Sequence, residues 1–177
     1  MKQLVRISLT QDEMRLACTG GIEHRLDALF NGQPPRSVQP YHEQYWWQTH
    51  ITGSIAEVAV SKLLGVDWQW ERNPNGFDVL NYQVRSTENP AARLLVNTHD
   101  NPEHNFIFAK VRENRVLLEG WITGAEVIAN NLQLFPNCYA IETYRLYPIT
   151  DLPEFPQLLP QGCEMFKPGV PRMGTVR

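Results

Sequence analysis

Ile51, Ile55, Val58, Ala59 and Leu63 recur at three- and four-residue spacing within YHEQYWWQTHITGSIAEVAVSKLLG. That period lays an apolar face along one helix from about His42 to Leu64, and Gly65 supplies a residue that readily ends it. Beyond Gly65 the pattern changes. Phe77–Leu80, Tyr82–Thr87, Arg93–Val96, Phe106–Arg112 and Val116–Thr123 are rich in β-branched and aromatic residues and are separated by Asn, Pro, Asp and Gly. These segments read as strands, with Glu113-Asn114 as a tight hairpin between the last two. A short helix can begin at Gly124-Ala-Glu126, and Cys138–Glu142 reads as one more short strand. A long amphipathic helix that must bury its face against such strands predicts an α/β fold, a central mixed β-sheet flanked by helices.

Ahead of the long helix, Leu4–Leu9 reads as a strand and Thr10-Gln-Asp-Glu13 as a capping box. The helix it opens should run to about Phe30, weakened at Gly20-Gly21, with a loop over Asn31–Pro35 on turn chemistry. Gly53 within the long helix costs roughly 1 kcal/mol relative to Ala. Either that helix starts near Gly53, or something packs closely against its backbone there. From about residue 153 a segment carrying Pro156, Pro160, Pro168 and Pro171 reads as an extended tail that wraps the domain or frays from it. At 177 residues and 42% apolar content, one domain spanning 1–177 is expected.

No run of about 18 apolar residues is present, and the start MKQLVRISLTQDEMR has no uninterrupted apolar core of the kind a signal peptide needs. A cytoplasmic protein is expected. Cys18, Cys138 and Cys163 are odd in number and far apart, which argues against a disulfide framework and against a Cys-based zinc site. The formal charge of −3 gives no overall polyanion-binding surface. Arg25, Arg36, Lys62, Arg72, Arg85 and Arg93 are spread along the chain, so a phosphate-binding patch must come from folding or from a bound metal ion.

Within GFDVLNYQVRST, residues two apart in a strand share a face, so Gln83 and Arg85 point together while Tyr82, Val84 and Ser86 point away. A reversal at Leu80-Asn81 brings Asp78 close to them. The helix carrying Glu57 can add a second carboxylate. Two acids, an amide oxygen and the nearby backbone carbonyl of Val84 are hard oxygen donors that suit Mg²⁺ or Mn²⁺. A cation so held activates water and neutralises charge on a phosphodiester, and Arg85 can bind the phosphate.

These residues resemble the PD-(D/E)XK nuclease superfamily, whose restriction-endonuclease-like core follows a helix bearing Glu with a hairpin bearing Asp and then (D/E)-X-K. Gly53-Ser-Ile-Ala-Glu57 is similar to the helix motif, Asp78 to the motif Asp, and Gln83-Val-Arg85 occupies the place of (D/E)-X-K. Leu94-Leu-Val96 with Asp100, Phe106–Ala109, Glu119–Gly124 and Cys138–Ile141 are similar in order and spacing to uncharacterised phage and prophage proteins of this type. The resemblance covers roughly residues 50 to 150. It implies a metal-dependent DNA endonuclease with Glu57, Asp78, Gln83 and Arg85 as catalytic residues, and Glu57, Asp78, Gln83 and the Val84 carbonyl around Mg²⁺ or Mn²⁺. It also allows a homodimer.

Two departures bear on that expectation. Gln83 leaves the cation one negative charge short, and Arg85 in place of Lys cannot lose a proton to serve as a base. A nuclease-fold protein that has lost catalysis, binding DNA or inhibiting a host protein, is the alternative. Three other features carry simpler readings. His99-Asp100-Asn-Pro-Glu-His104 could ligate a transition metal, but its composition is that of a turn. His50 lies seven residues before Glu57 on nearly the same face, as a structural His or a group that touches substrate. Tyr45-Trp46-Trp47 reads as core or an interface anchor, or as a platform for an unpaired base.

Overall fold

The computed structural model of the chain describes residues 2–31, 46–70, 76–129, 133–135 and 137–167. Residues 32–35 of the expected loop, 42–45 of the expected helix, Arg36, Arg72, Pro168 and Pro171 lie outside them. β1 (Leu4–Ser8) leads into α1 (Gln11–Phe30) through the expected capping box. Thr10 Oγ1 accepts from the Glu13 N–H at 3.3 Å, and Glu13 Oε2 accepts from the Thr10 N–H at 2.6 Å. α2 (Trp46–Leu64) ends at Gly65, whose φ of 68° is the left-handed conformation a helix C-terminus favours.

The chain is α/β, with a central mixed sheet flanked by helices. The strands are β2 (Tyr82–Thr87), β3 (Leu94–Asn97), β4 (Asn105–Arg112), β5 (Arg115–Thr123), β6 (Gln133–Phe135), β7 (Cys138–Ile141) and β8 (Cys163–Phe166), with α3 (Gly124–Ala129) after β5. The central sheet runs β2-β4-β5-β1-β8; β2 pairs parallel with β4, and every other pairing is antiparallel. β4 serves two cores because its side chains alternate. Ile107, Ala109 and Val111 pack with Ile55, Val58 and Leu63 of α2, and α1 packs on α2. Phe106 and Phe108 face the opposite way, against Leu94, Val96 and Ile141 of a second sheet, β3-β7-β6, and Val127 of α3.

One expected strand needs correction. Phe77–Leu80 is not a strand: only Val79 makes an isolated bridge, to Tyr82, and the chain reverses at Leu80-Asn81. The Asp78 and Val79 N–H groups both donate to the Tyr82 carbonyl, at 3.0 and 3.2 Å. Leu80 holds φ at 52°, a conformation that costs an L-residue roughly 1–2 kcal/mol. A turn this tight leaves no room for a paired incoming strand. The described part of the tail wraps the domain, one of the two alternatives its sequence allows. β8 pairs antiparallel with β1, while Phe155, Leu159 and Cys163 pack on the main core, and the Tyr82 hydroxyl donates to Glu154 at 2.5 Å.

Gly20 and Gly21 do not weaken α1; they let it dock. A Cβ on Gly20 would lie 2.2 Å from the Trp68 ring, and one on Gly21 would lie 2.6 Å from the Ile51 backbone of α2. Gly53 behaves oppositely, and neither explanation drawn from the sequence holds. α2 begins well before it, and a Cβ there would meet nothing nearer than Glu57 Oε1 at 4.0 Å. Gly21→Ala is therefore expected to destabilise the fold by about 1–3 kcal/mol through overpacking. Gly53→Ala is expected to stabilise it by up to about 1 kcal/mol. Chemical denaturation of the two variants checks the opposite signs.

Candidate metal centre

β2 lies at the edge of the central sheet, and pairing with β4 uses only one side of its backbone. Tyr82 turns its N–H and carbonyl to the open side, where they meet Val79 and Asp78. Val84, two residues on, faces the same way. Its N–H donates to Asp78 Oδ2 at 2.7 Å. Because the N–H and C=O of a strand residue point to the same side, the Val84 carbonyl also faces the edge that Asp78 occupies. Local sequence dictates this: the Leu80-Asn81 reversal folds Asp78 back along the strand it precedes.

Glu57 approaches from the α2 side, on a turn of helix whose neighbours Ile55, Ala56 and Val58 are buried. Trp68 Nε1 donates to Glu57 Oε2 at 3.0 Å, and Trp68 is itself seated on Gly20 of α1. Burial, followed by the neighbouring Asp78 carboxylate, pushes the Glu57 carboxyl up to about 8; the Trp68 hydrogen bond and the Arg85 charge oppose this only in part. The two acids are thus close enough that ionising one disfavours ionising the other.

Gln83 and Arg85 share a face, as the strand period requires, and Arg85 Nη1 donates to Gln83 Oε1 at 2.9 Å. Their face is the one β4 fills with Phe106 and Phe108, away from α2. The cluster therefore wraps around the sheet edge, with Glu57 on one side, Asp78 at the rim and Gln83-Arg85 on the other. Gln83 is buried and its Nε2 donates to the Gly76 carbonyl, tying the segment before Asp78 to β2. Arg85 lies over the Phe106 ring at 5.4 Å, and its Nη2 donates to Asp100 Oδ2 at 2.9 Å. Asp100 in turn accepts from the Asn97 N–H at 3.0 Å.

Trp68 and Asp100 are the two partners that site reasoning from the sequence did not assign. Trp68 carried no signal beyond its being aromatic. Asp100 entered the sequence reading beside Leu94–Val96 and in a turn-like loop, in neither case as a partner of Arg85, and that loop does make turns: His104 N–H donates to the Asn101 carbonyl, and Asn101 Oδ1 accepts from Glu103 N–H. His104 stacks on Phe77 with ring centroids 4.5 Å apart. Among the described residues no three His, Cys, Asp or Glu side chains come together as a metal-binding group. The oxygen donors that could hold a cation at the β2 edge are the Glu57 and Asp78 carboxyls and the Val84 carbonyl, with the Gln83 oxygen behind them. No protein-family model, curated protein or solved structure matches the chain.

The raised Glu57 carboxyl has a consequence for stability. Unfolded, Glu57 titrates at about 4.5, and folded at about 8. Between these values the folded state holds a proton that the unfolded state lacks, so raising the pH favours unfolding across that window. Glu57→Gln stays neutral and can still accept from Trp68. Melting temperatures taken in EDTA at about pH 5 and about pH 8 should fall more for the wild type than for Glu57→Gln.

Proposed function

We propose that the chain is a Mg²⁺- or Mn²⁺-dependent DNA endonuclease of the PD-(D/E)XK type. The observation that carries this reading is the Glu57–Asp78 pair. A carboxyl whose charged form is disfavoured by burial and by a second carboxylate beside it is a site short of positive charge, and a divalent cation would relieve that shortage while the proton leaves. The donor set fits a hard cation: two carboxyl oxygens with the Val84 carbonyl facing the same edge. When bound, Mg²⁺ supplies Lewis acidity and lowers the pKa of coordinated water.

The remaining roles fall to this chain's own groups. Asp78 is held at the rim by the Val84 N–H, and Trp68 fixes one oxygen of Glu57. Gln83 keeps a second lone pair on its amide oxygen for a cation or a water, although the first is taken by Arg85. The Arg85 guanidinium stabilises negative charge on a phosphate without acting as a base. One observation favours the second reading, a nuclease-fold protein that binds DNA or a host protein without cutting. Arg85 is already bound to Asp100 and Gln83, as a structural arginine would be.

Nicking of supercoiled plasmid separates the two. With Mn²⁺ or Mg²⁺ the wild type is expected to cleave, and Asp78→Ala to lose activity by roughly 100-fold or more. Equal background cleavage by wild type and Asp78→Ala would remove the catalytic reading. Asp100→Asn, which releases Arg85, is expected to change the rate while leaving metal dependence in place.

A further inference from the structure

Of the basic residues Arg25, Arg36, Lys62, Arg72, Arg85 and Arg93, Lys62 pairs with Glu13, Arg85 with Asp100 and Arg93 with Glu142. Arg36 and Arg72 lie outside the described residues. Arg25 differs from all of these. It is only 8% exposed, its Nε is buried with no hydrogen-bond partner among the described residues, and no ion pair between described residues includes it. Its guanidinium lies over the rings of Trp46 and Trp47, 4.6 and 5.9 Å from their centroids. Ring faces attract a cation without neutralising it, and a buried charge that no described residue pairs is costly. The rings take the face of the guanidinium and leave its Nε–H without a partner among the described residues, and guanidinium N–H groups are what a phosphate or carboxylate engages.

The surroundings select a phosphate attached to a base. Trp47, beside Arg25, is 39% exposed. Trp46, His50, Gly53 and Glu57, spaced four, three and four residues apart, share one face of α2. From Thr52 to Ser61 of α2, Gly53 and Glu57 are the residues that are not fully buried. From Trp46 to Glu57 the four form a lane about 16 Å long at 1.5 Å per residue, and among the described residues a Cβ at Gly53 would meet nothing nearer than Glu57 Oε1 at 4.0 Å. A strand laid along this lane passes from the Arg25 seat to the carboxyl pair.

We propose that the lane binds one strand of DNA, with a backbone phosphate on Arg25, an unpaired base against Trp47, and the chain running past Gly53 toward Glu57 and Asp78. A single strand fits better than a duplex. Its bases expose their faces for stacking, and a chain with net charge −3 lacks the basic surface that tracks two backbones. The direction of the strand rests on the hydrolase reading; the seat at Arg25 and Trp47 does not.

Tryptophan fluorescence titrated with an oligo(dT) of about ten nucleotides, in EDTA so that no cleavage occurs, tests the lane. The wild type should show saturable quenching, and a dT·dA duplex of equal length should bind about tenfold more weakly. Arg25→Gln should weaken oligo(dT) by about tenfold and lower the slope of log affinity against log salt by about 0.7–1. Gly53→Gln, whose side chain enters the lane, should weaken binding while melting no lower than the wild type, and it decides the matter if Arg25→Gln fails to fold. Unchanged affinity in Gly53→Gln and in a folded Arg25→Gln overturns the proposal, as does equal affinity for the duplex. Mn²⁺ calorimetry is read separately. Oligo(dT) binding without Asp78-dependent Mn²⁺ binding sinks the hydrolase reading alone, and Mn²⁺ binding without oligo(dT) binding sinks the lane alone.

Discussion

Burial and the neighbouring Asp78 carboxylate disfavour the charged form of Glu57, and the parts of the fold around β2 converge on holding the two carboxyls close together. Glu57 sits on a helix whose neighbouring residues are committed to the main core. Its orientation comes from Trp68, and Trp68 is seated only because Gly20 has no side chain. Asp78 accepts from the Val84 N–H on the open side of β2. Parallel pairing with β4 on the other side is what leaves that N–H available.

The same edge position explains why the cluster has two faces. Side chains alternate along β2, so Gln83 and Arg85 fall opposite the helix that carries Glu57. They join the site through charge and not through a shared pocket. Arg85 is balanced by Asp100 from the turn after β3, which makes the second sheet part of the machinery that sets the guanidinium's position. This coupling links the two hydrophobic cores, since Phe106 lies under the Arg85 guanidinium and belongs to the second core.

Much of the fold was legible because local signals suffice where a segment pairs with its neighbours. The Thr10 capping box, the Gly65 helix end and strands β2, β4 and β5 follow from residue type and spacing, to within a residue or so. Asp78, Gln83 and Arg85 were legible for the same reason. What was hidden depends on distant partners. Gly20-Gly21 reads as a weak point in a helix until Trp68 and Ile51 are seen against it. Phe77–Leu80 has strand composition, but a two-residue reversal consumes the chain that would have paired. β8 lies in a proline-rich tail and becomes a strand only because β1 offers an edge. Asp100 looks like any turn aspartate until Arg85 meets it.

The coupling between cation and proton at Glu57 is the most direct point to measure. Calorimetric titration with Mn²⁺ at about pH 7, repeated in buffers of different ionisation enthalpy, counts the protons released on binding. The expected result is saturable binding with close to one proton released, falling to near zero in Glu57→Gln. Saturable binding with no proton release, or no binding at all by the wild type, would contradict it.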